Sequence, residues 1–295
     1  MNTWYRIKRF FQVANIGTLI FFILNIALLL AIFCYDGVTT EKVVKFSIVY
    51  VITVIISLSP VGEWCLAALC GARKIKRTDI NNRLMPLFYE VYKNAKKETP
   101  YLPDDINLKI IYDSSPNACA IGRHTICVTE GLLKLSDNEI MGVLAHEIGH
   151  LAYGHTILIL LIGGGNLFIT GSIFIIKAFC WFLVAFFSML SEVCSKRHWF
   201  FFFSAVFSAI PIFLTWLWTK FCMLFTRWSM RQNEYKADAY ACKIGYGNEL
   251  AYVLDKSLYE EPHNGIFKAL YSTHPSSDDR VANMQHTGLI SYLSN

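Results

Sequence analysis

The chain lacks a cysteine framework. Its nine cysteines stand singly, and no CxxC pair occurs, since Cys65 and Cys70 are five positions apart. That excludes the disulfide lattice of a small secreted domain, and the thiols read as reduced and buried. A basic stripe interleaved with aromatics is also missing. The formal charge of +5 is small and its positive residues flank apolar runs, which excludes nucleic acid as a partner. Internal repeats and low-complexity linkers are absent. The first apolar run has a basic start but no small-residue cleavage site after it, so it reads as a retained span rather than a signal peptide.

Apolar sequence is what the chain has in abundance. Hydrophobic residues fill 54% of its 295 positions and the mean hydropathy is +0.39, above the usual range of soluble domains. They gather in long uncharged runs, and about 20 apolar residues suffice to cross about 30 Å of hydrocarbon as a helix. Ile16 to Phe33 and Val43 to Leu58 predict one helical hairpin, joined by a loop from Tyr35 to Lys42. Thr156 to Leu190, charged only at Lys177, and Phe200 to Phe225, charged only at Lys220, predict a second. The third run is longer than one crossing needs, so it tilts or protrudes.

Between and after the hairpins the chain is soluble in character. Asp79 caps a predicted helix that runs to Lys97, with Leu84, Phe88 and Tyr92 at spacings of four, and Pro100 and Pro103 end it. Asn107 to Tyr112 and His124 to Val128 read as strands, with a loop from Ser114 to Arg123 between them. Ser136 followed by Glu139 is a capping box that starts a helix reaching Tyr153. The segment from Arg227 onward reads as helices broken at Gly245 and between Pro262 and Gly265.

The capped helix carries the chemistry. Residues 146 to 150 read His-Glu-Ile-Gly-His. On a helix, positions i and i+4 share a face about 6 Å apart. Two imidazoles there can grip one zinc ion, with Glu147 placed to act as general base. A catalytic zinc needs a third protein ligand and an open fourth position. A third histidine at 156 is excluded by Thr156, and His155 lies about 140° round an ideal helix from His150. Residues 234 to 238, Glu-Tyr-Lys-Ala-Asp, offer Glu234 as the ligand and Asp238, one turn on, as an acceptor for the free N–H of a ligating histidine, His146.

These motifs resemble, in order, those of the HtpX family of bacterial membrane metalloproteases, which are relatives of the CAAX prenyl proteases. Asn117-Ala118-Cys119-Ala120-Ile121-Gly122 resembles the family's Asn-Ala-aromatic-Ala-x-Gly segment, with Cys119 in the aromatic's place. His146 to His150 is similar to its zinc motif, Arg231 to Asp238 to its third-ligand helix, and Thr273-His274-Pro275-Ser276 with Arg280 to its C-terminal motif. The resemblance implies roles near the reacting carbonyl for Asn117, His274 and Arg280. An amide or imidazole donor would stabilise an oxyanion, and an arginine would hold the local structure.

The fold class expected is a mainly α integral membrane protein: four transmembrane helices in two hairpins and a cytoplasmic α+β zincin-like domain with a small sheet. The expected divisions are 1–71 and 156–226 for the hairpins, and 72–155 and 227–295 for the two parts of the catalytic domain. His150 and Glu234 must meet on one side of the bilayer, so an even number of crossings must separate them, and two runs do. Arg6, Lys8 and Arg9 before the first span, and Arg73 to Arg77 after the second, place both termini and the site in the cytoplasm, and the resemblance implies that the membrane is a bacterial inner membrane. The activity implied is hydrolysis of unfolded or damaged membrane and cytoplasmic proteins, a quality-control role, with one zinc per chain. The alternatives are a narrow processing protease of the CAAX kind and a non-enzymatic scaffold with a structural zinc. For substrate docking, the strand His124 to Val128 or the segment just before it is the expected open edge.

Overall fold

The computed structural model describes residues 15–34, 36–161, 197–256 and 275–291, with isolated positions between 162 and 196. Among the described residues helices dominate, and the strands form a single small mixed sheet. The chain divides into two compact units: residues 1–18, 54–161 and 227–295 form one, and residues 19–53 and 162–226 the other.

In the second unit, α1 (Ile16–Phe33) coincides with the first apolar run, and α2 (Thr40–Leu58) begins slightly ahead of the second. Their aromatic rings meet in a ladder: Phe22 to Tyr50 at 6.0 Å, Phe46 to Tyr50 at 5.7 Å and Phe33 to Phe46 at 5.9 Å between centroids. Val44, Ile48, Ile52 and Ile55 of α2 stay exposed. Among the described residues no single helix is long and apolar enough to cross a membrane. The pair α2 and α3 (Pro60–Leu69) qualifies together, bent by 67°. The bend has a local cause. Pro60 has no N–H with which to continue the α2 ladder, and Ser59 turns extended and caps α3 by accepting from the Val61 N–H. Most of the third apolar run lies outside the described residues. The fourth lies within α6 (Arg197–Lys243), which continues without a break into the Glu234 motif.

The first unit holds the sheet: β1 (Arg73–Lys74), β2 (Asn107–Ile111), β3 (Ala118–Ile121) and β4 (Thr125–Thr129), in the order β1-β2-β4-β3. β2 and β4 run parallel, with Leu108 opposite Ile126; β3 and β4 run antiparallel, with Cys119 opposite Cys127. One expectation needs correcting: the segment from Ser114 to Arg123, read as a loop, contains β3. Of the two places expected for the docking edge, the strand beginning at His124 is the buried inner strand β4, and the segment just before it is β3, which lies at an edge of the sheet. Choosing between them beforehand was not possible for a physical reason. A hairpin of two short apolar strands says nothing about which of them finds a second neighbour, because that depends on β2, which arrives from earlier in the chain.

α4 (Thr78–Glu98) buries Leu84, Phe88 and Val91. Its cap position is Arg77, with no side-chain cap bond, and Asp79 pairs with Arg77 at 2.6 Å instead of capping. α5 (Asp137–Tyr153) opens with the capping box, both of its bonds present. Ile140, Leu144 and Ile148 of α5 join Ile126 and Val128 of β4, Leu250 and Leu254 of α7 (Gly247–Lys256), and Val281 and Met284 of α8 (Ser277–His286) in one core. The chain breaks at Gly245 as expected, and residues 262–265 lie outside the described residues.

Candidate metal centre

α5 is buried on nearly every face, so the polar residues of its last two turns must be satisfied by one another or by a ligand. His146, Glu147 and Glu234 are at most 7% exposed. Gly149 lets α6 approach: a Cβ there would meet the Ala237 Cα at 3.1 Å. With the helices this close, Glu234 reaches both histidines. His146 Nε2 lies 3.4 Å and His150 Nε2 3.2 Å from its carboxylate oxygens, and the two Nε2 atoms are 3.1 Å apart. These three residues form the group able to hold a metal ion among the described residues.

Around this trio sit groups that fix its orientation. Asp238, fully buried, accepts from His146 Nδ1 at 2.9 Å. Arg280 grips the same carboxylate with two bonds, at 2.9 and 2.5 Å, and stands 3.5 Å from Glu234. Burial and the Arg280 guanidinium both disfavour a charged His146, yet the Asp238 and Glu234 carboxylates outweigh them and lift its pKa to about 9 in the ion-free site. Burial works to raise the Asp238 pKa, but Arg280 and His146 hold the carboxyl below its ordinary value.

His150 has a partner that sequence reasoning passed over. His155 Nδ1 lies 3.0 Å from His150 Nδ1, and its ring stacks on Tyr153. Burial, and then His150, push the His155 pKa well below its usual value. A neutral His155 can accept the His150 Nδ1–H, which leaves His150 Nε2 with its lone pair toward the metal position.

The Glu147 carboxylate accepts from the Ala120 N–H of β3 at 2.7 Å. Asn117 precedes β3. Its side-chain oxygen accepts from the Ala118 N–H, and its own N–H donates to Thr129 Oγ1. Cys119 faces Cys127 across the ladder and belongs to a small cluster with Cys70, Ala67 and Ile121. Arg280, expected beside the reacting carbonyl or as a local brace, is brought to Asp238 and His146. His274 lies outside the described residues.

Residues 84–288 match the description of peptidase family M48. A protease HtpX homolog of Campylobacter concisus is 30% identical over 207 residues, 60% of this chain and 66% of that protein. A protease HtpX homolog of Tropheryma whipplei is 28% identical over 246 residues, 75% of this chain and 77% of that one. The crystal structure of S. mikatae Ste24p shares 17% identity at a TM-score of 0.49, covering 88% of this chain and 62% of that chain. The match thus spans just under two thirds of the C. concisus relative's length. The resemblance to HtpX proteases is borne out by these relatives, and with the family match running from α4 through α8, the chain belongs to peptidase family M48.

Proposed function

We propose that the chain is a membrane-embedded, zinc-dependent endopeptidase that hydrolyses peptide bonds in unfolded or damaged membrane and cytoplasmic proteins. His146, His150 and Glu234 hold the ion. Ligands about 2.05 Å from a tetrahedral zinc are about 3.3 Å from one another; the two Nε2 atoms here are 3.1 Å apart, and each has one oxygen of the Glu234 carboxylate within 3.4 Å, His146 facing Oε2 and His150 facing Oε1. That agreement is the observation that carries the reading. Among the described residues the donor set is the catalytic one, three protein ligands rather than the closed four of a structural site, which disfavours a scaffold role.

When bound, zinc supplies Lewis acidity, acidifying water and polarising a peptide carbonyl. The chain's own residues do the rest. Glu147 takes the proton of the attacking water and returns it to the leaving amine, and the Ala120 N–H fixes the carboxylate for both transfers. Asp238 holds His146 with Nδ1 protonated, and Arg280 balances the Asp238 charge. β3 is the open edge of the sheet beside Glu147, suited to pair with the backbone of an extended substrate without demanding particular side chains. Asn117 at its start and His274 are candidate donors to the substrate carbonyl.

The four apolar runs of the sequence support four spans in two hairpins, with divisions near residues 71, 155 and 226, and the flanking basic residues support a site on the cytoplasmic face of an inner membrane. The deciding experiment compares purified chain with Glu147→Gln on an unfolded test protein. The variant is expected to keep about one zinc and lose nearly all cleavage; equal cleavage by both removes Glu147 from the mechanism.

A further inference from the structure

Glu63 is a buried carboxylate on α3, whose neighbours Val61 and Trp64 are exposed. It has no part in the metal centre. Its two oxygens are taken up by three consecutive residues of the β3–β4 turn: Oε2 accepts from the Arg123 N–H at 2.9 Å, and Oε1 from the His124 N–H at 3.2 Å and the Thr125 hydroxyl at 2.6 Å. The turn is shaped to receive it. Gly122 stands at φ +62, and a Cβ there would fall 2.2 Å from Glu63 Oε2, so the backbone must be bare where the carboxylate enters. A second brace comes from Thr156, whose hydroxyl donates to the Gly122 carbonyl.

We infer that Glu63 is the positioning residue of the substrate edge: its carboxylate clamps the β3–β4 turn and so sets where β3 lies for docking. The inference rests on β3 being the edge that pairs with substrate. The reason a clamp is needed is topological. β3 spans only four residues and has one neighbour strand, β4. A short strand paired on one side frays and slides unless its ends are fixed. Its N-terminal end is tied by Asn117, whose N–H and carbonyl both bond Thr129. Its C-terminal end runs into the turn, where the adjacent N–H groups of Arg123 and His124 point away from the β4 ladder. Without a partner these donors would be left unsatisfied and partly buried, and the turn would rearrange to find water. A carboxylate suits this place better than a neutral side chain. It accepts all three bonds at once, whereas an amide in the same position sets a donor against a donor.

The test uses the full-length chain in detergent with β-casein as an unfolded substrate, comparing wild type, Glu63→Ala, Glu63→Gln and Thr125→Val. The KM of Glu63→Ala is expected to rise about tenfold, the equivalent of one backbone hydrogen bond lost from docking, with zinc content near wild type and a smaller fall in kcat, since Ala120 of the same strand holds Glu147. Glu63→Gln and Thr125→Val are expected to shift KM the same way by less. A purely structural role would lower the active fraction, hence apparent kcat, and leave KM alone; that result overturns the inference. If Glu63→Ala does not fold, the two milder variants decide on the same criterion. Amide hydrogen exchange over 118–125 reads the clamp without any cleavage: exchange is expected to quicken at least tenfold in the Glu63 variants, and unchanged protection overturns the clamp. Loss of β-casein cleavage in the wild type, or its survival in Glu147→Gln, would count against the proteolytic reading and leave the exchange result to judge Glu63.

Discussion

Asp238→Ala is the most informative single change, because it should damage two separable properties. The carboxylate is fully buried and serves two partners, His146 Nδ1 at 2.9 Å and Arg280 at 2.9 and 2.5 Å. Removing it takes the acceptor from a ligating histidine, an effect of about 10–100-fold in metal affinity, or about 1.4–2.7 kcal/mol. It also strands a guanidinium that is 7% exposed, and a buried charge deprived of its partner typically costs about 3–5 kcal/mol of stability. Here the cost should sit at the low end, since Glu234 is 3.5 Å from Arg280 Nη1 and would draw it in. That shift pulls a ligand carboxylate away from the metal, so affinity should fall toward the hundredfold end. The double variant Asp238→Ala/Arg280→Met separates the effects. It should recover most of the lost thermal stability, because no charge is orphaned, yet recover little zinc affinity, because His146 still lacks its acceptor. Chelator competition and thermal unfolding in detergent measure the two quantities. Full recovery of affinity in the double variant would refute the claim that Asp238 orients His146.

Three further outcomes are expected. In the ion-free protein, His146 has its pKa raised to about 9; the stability from its pairing with carboxylates is complete below the unfolded value of about 6.5 and is lost as pH rises toward 9. Zinc affinity should climb over the same window, since the ligand must be neutral, and chelator titrations showing a flat affinity from pH 6.5 to 9 would contradict this. His155→Ala should weaken zinc binding about tenfold with cleavage recoverable in excess zinc, whereas an unchanged affinity would make the 3.0 Å contact with His150 incidental. Proline at Ile126, on an inner strand, should unfold the domain, while proline at Ala120 should spare zinc content and lower kcat by losing the N–H that holds Glu147; normal cleavage by Ala120→Pro would release Glu147 from that bond.

What could be read in the chain beforehand was whatever depends on local periodicity. The ligand pair His146 and His150 and the pair Glu234 and Asp238 each follow from a four-residue step along one helix, and the start of α5 follows from Ser136 and Glu139, three residues apart. The α1 boundaries matched the first apolar run because hydrophobicity alone sets the limits of such a helix. Tertiary structure decided everything that needs a partner from elsewhere. His155 looked misplaced only because the helix was extended through it; α5 stops at Gly154, in the left-handed region at φ +72, and the chain turns His155 back onto the ring of His150. β3 became the edge because β2 pairs with β4. Glu63 lies in a helix hidden between an apolar run and a basic segment, and its role exists only because α3 folds against the turn at Arg123. A side chain's neighbours along one helix are fixed by a repeat of 3.6 residues, but its neighbours across a domain are fixed by how several elements share one core, and no local pattern records that.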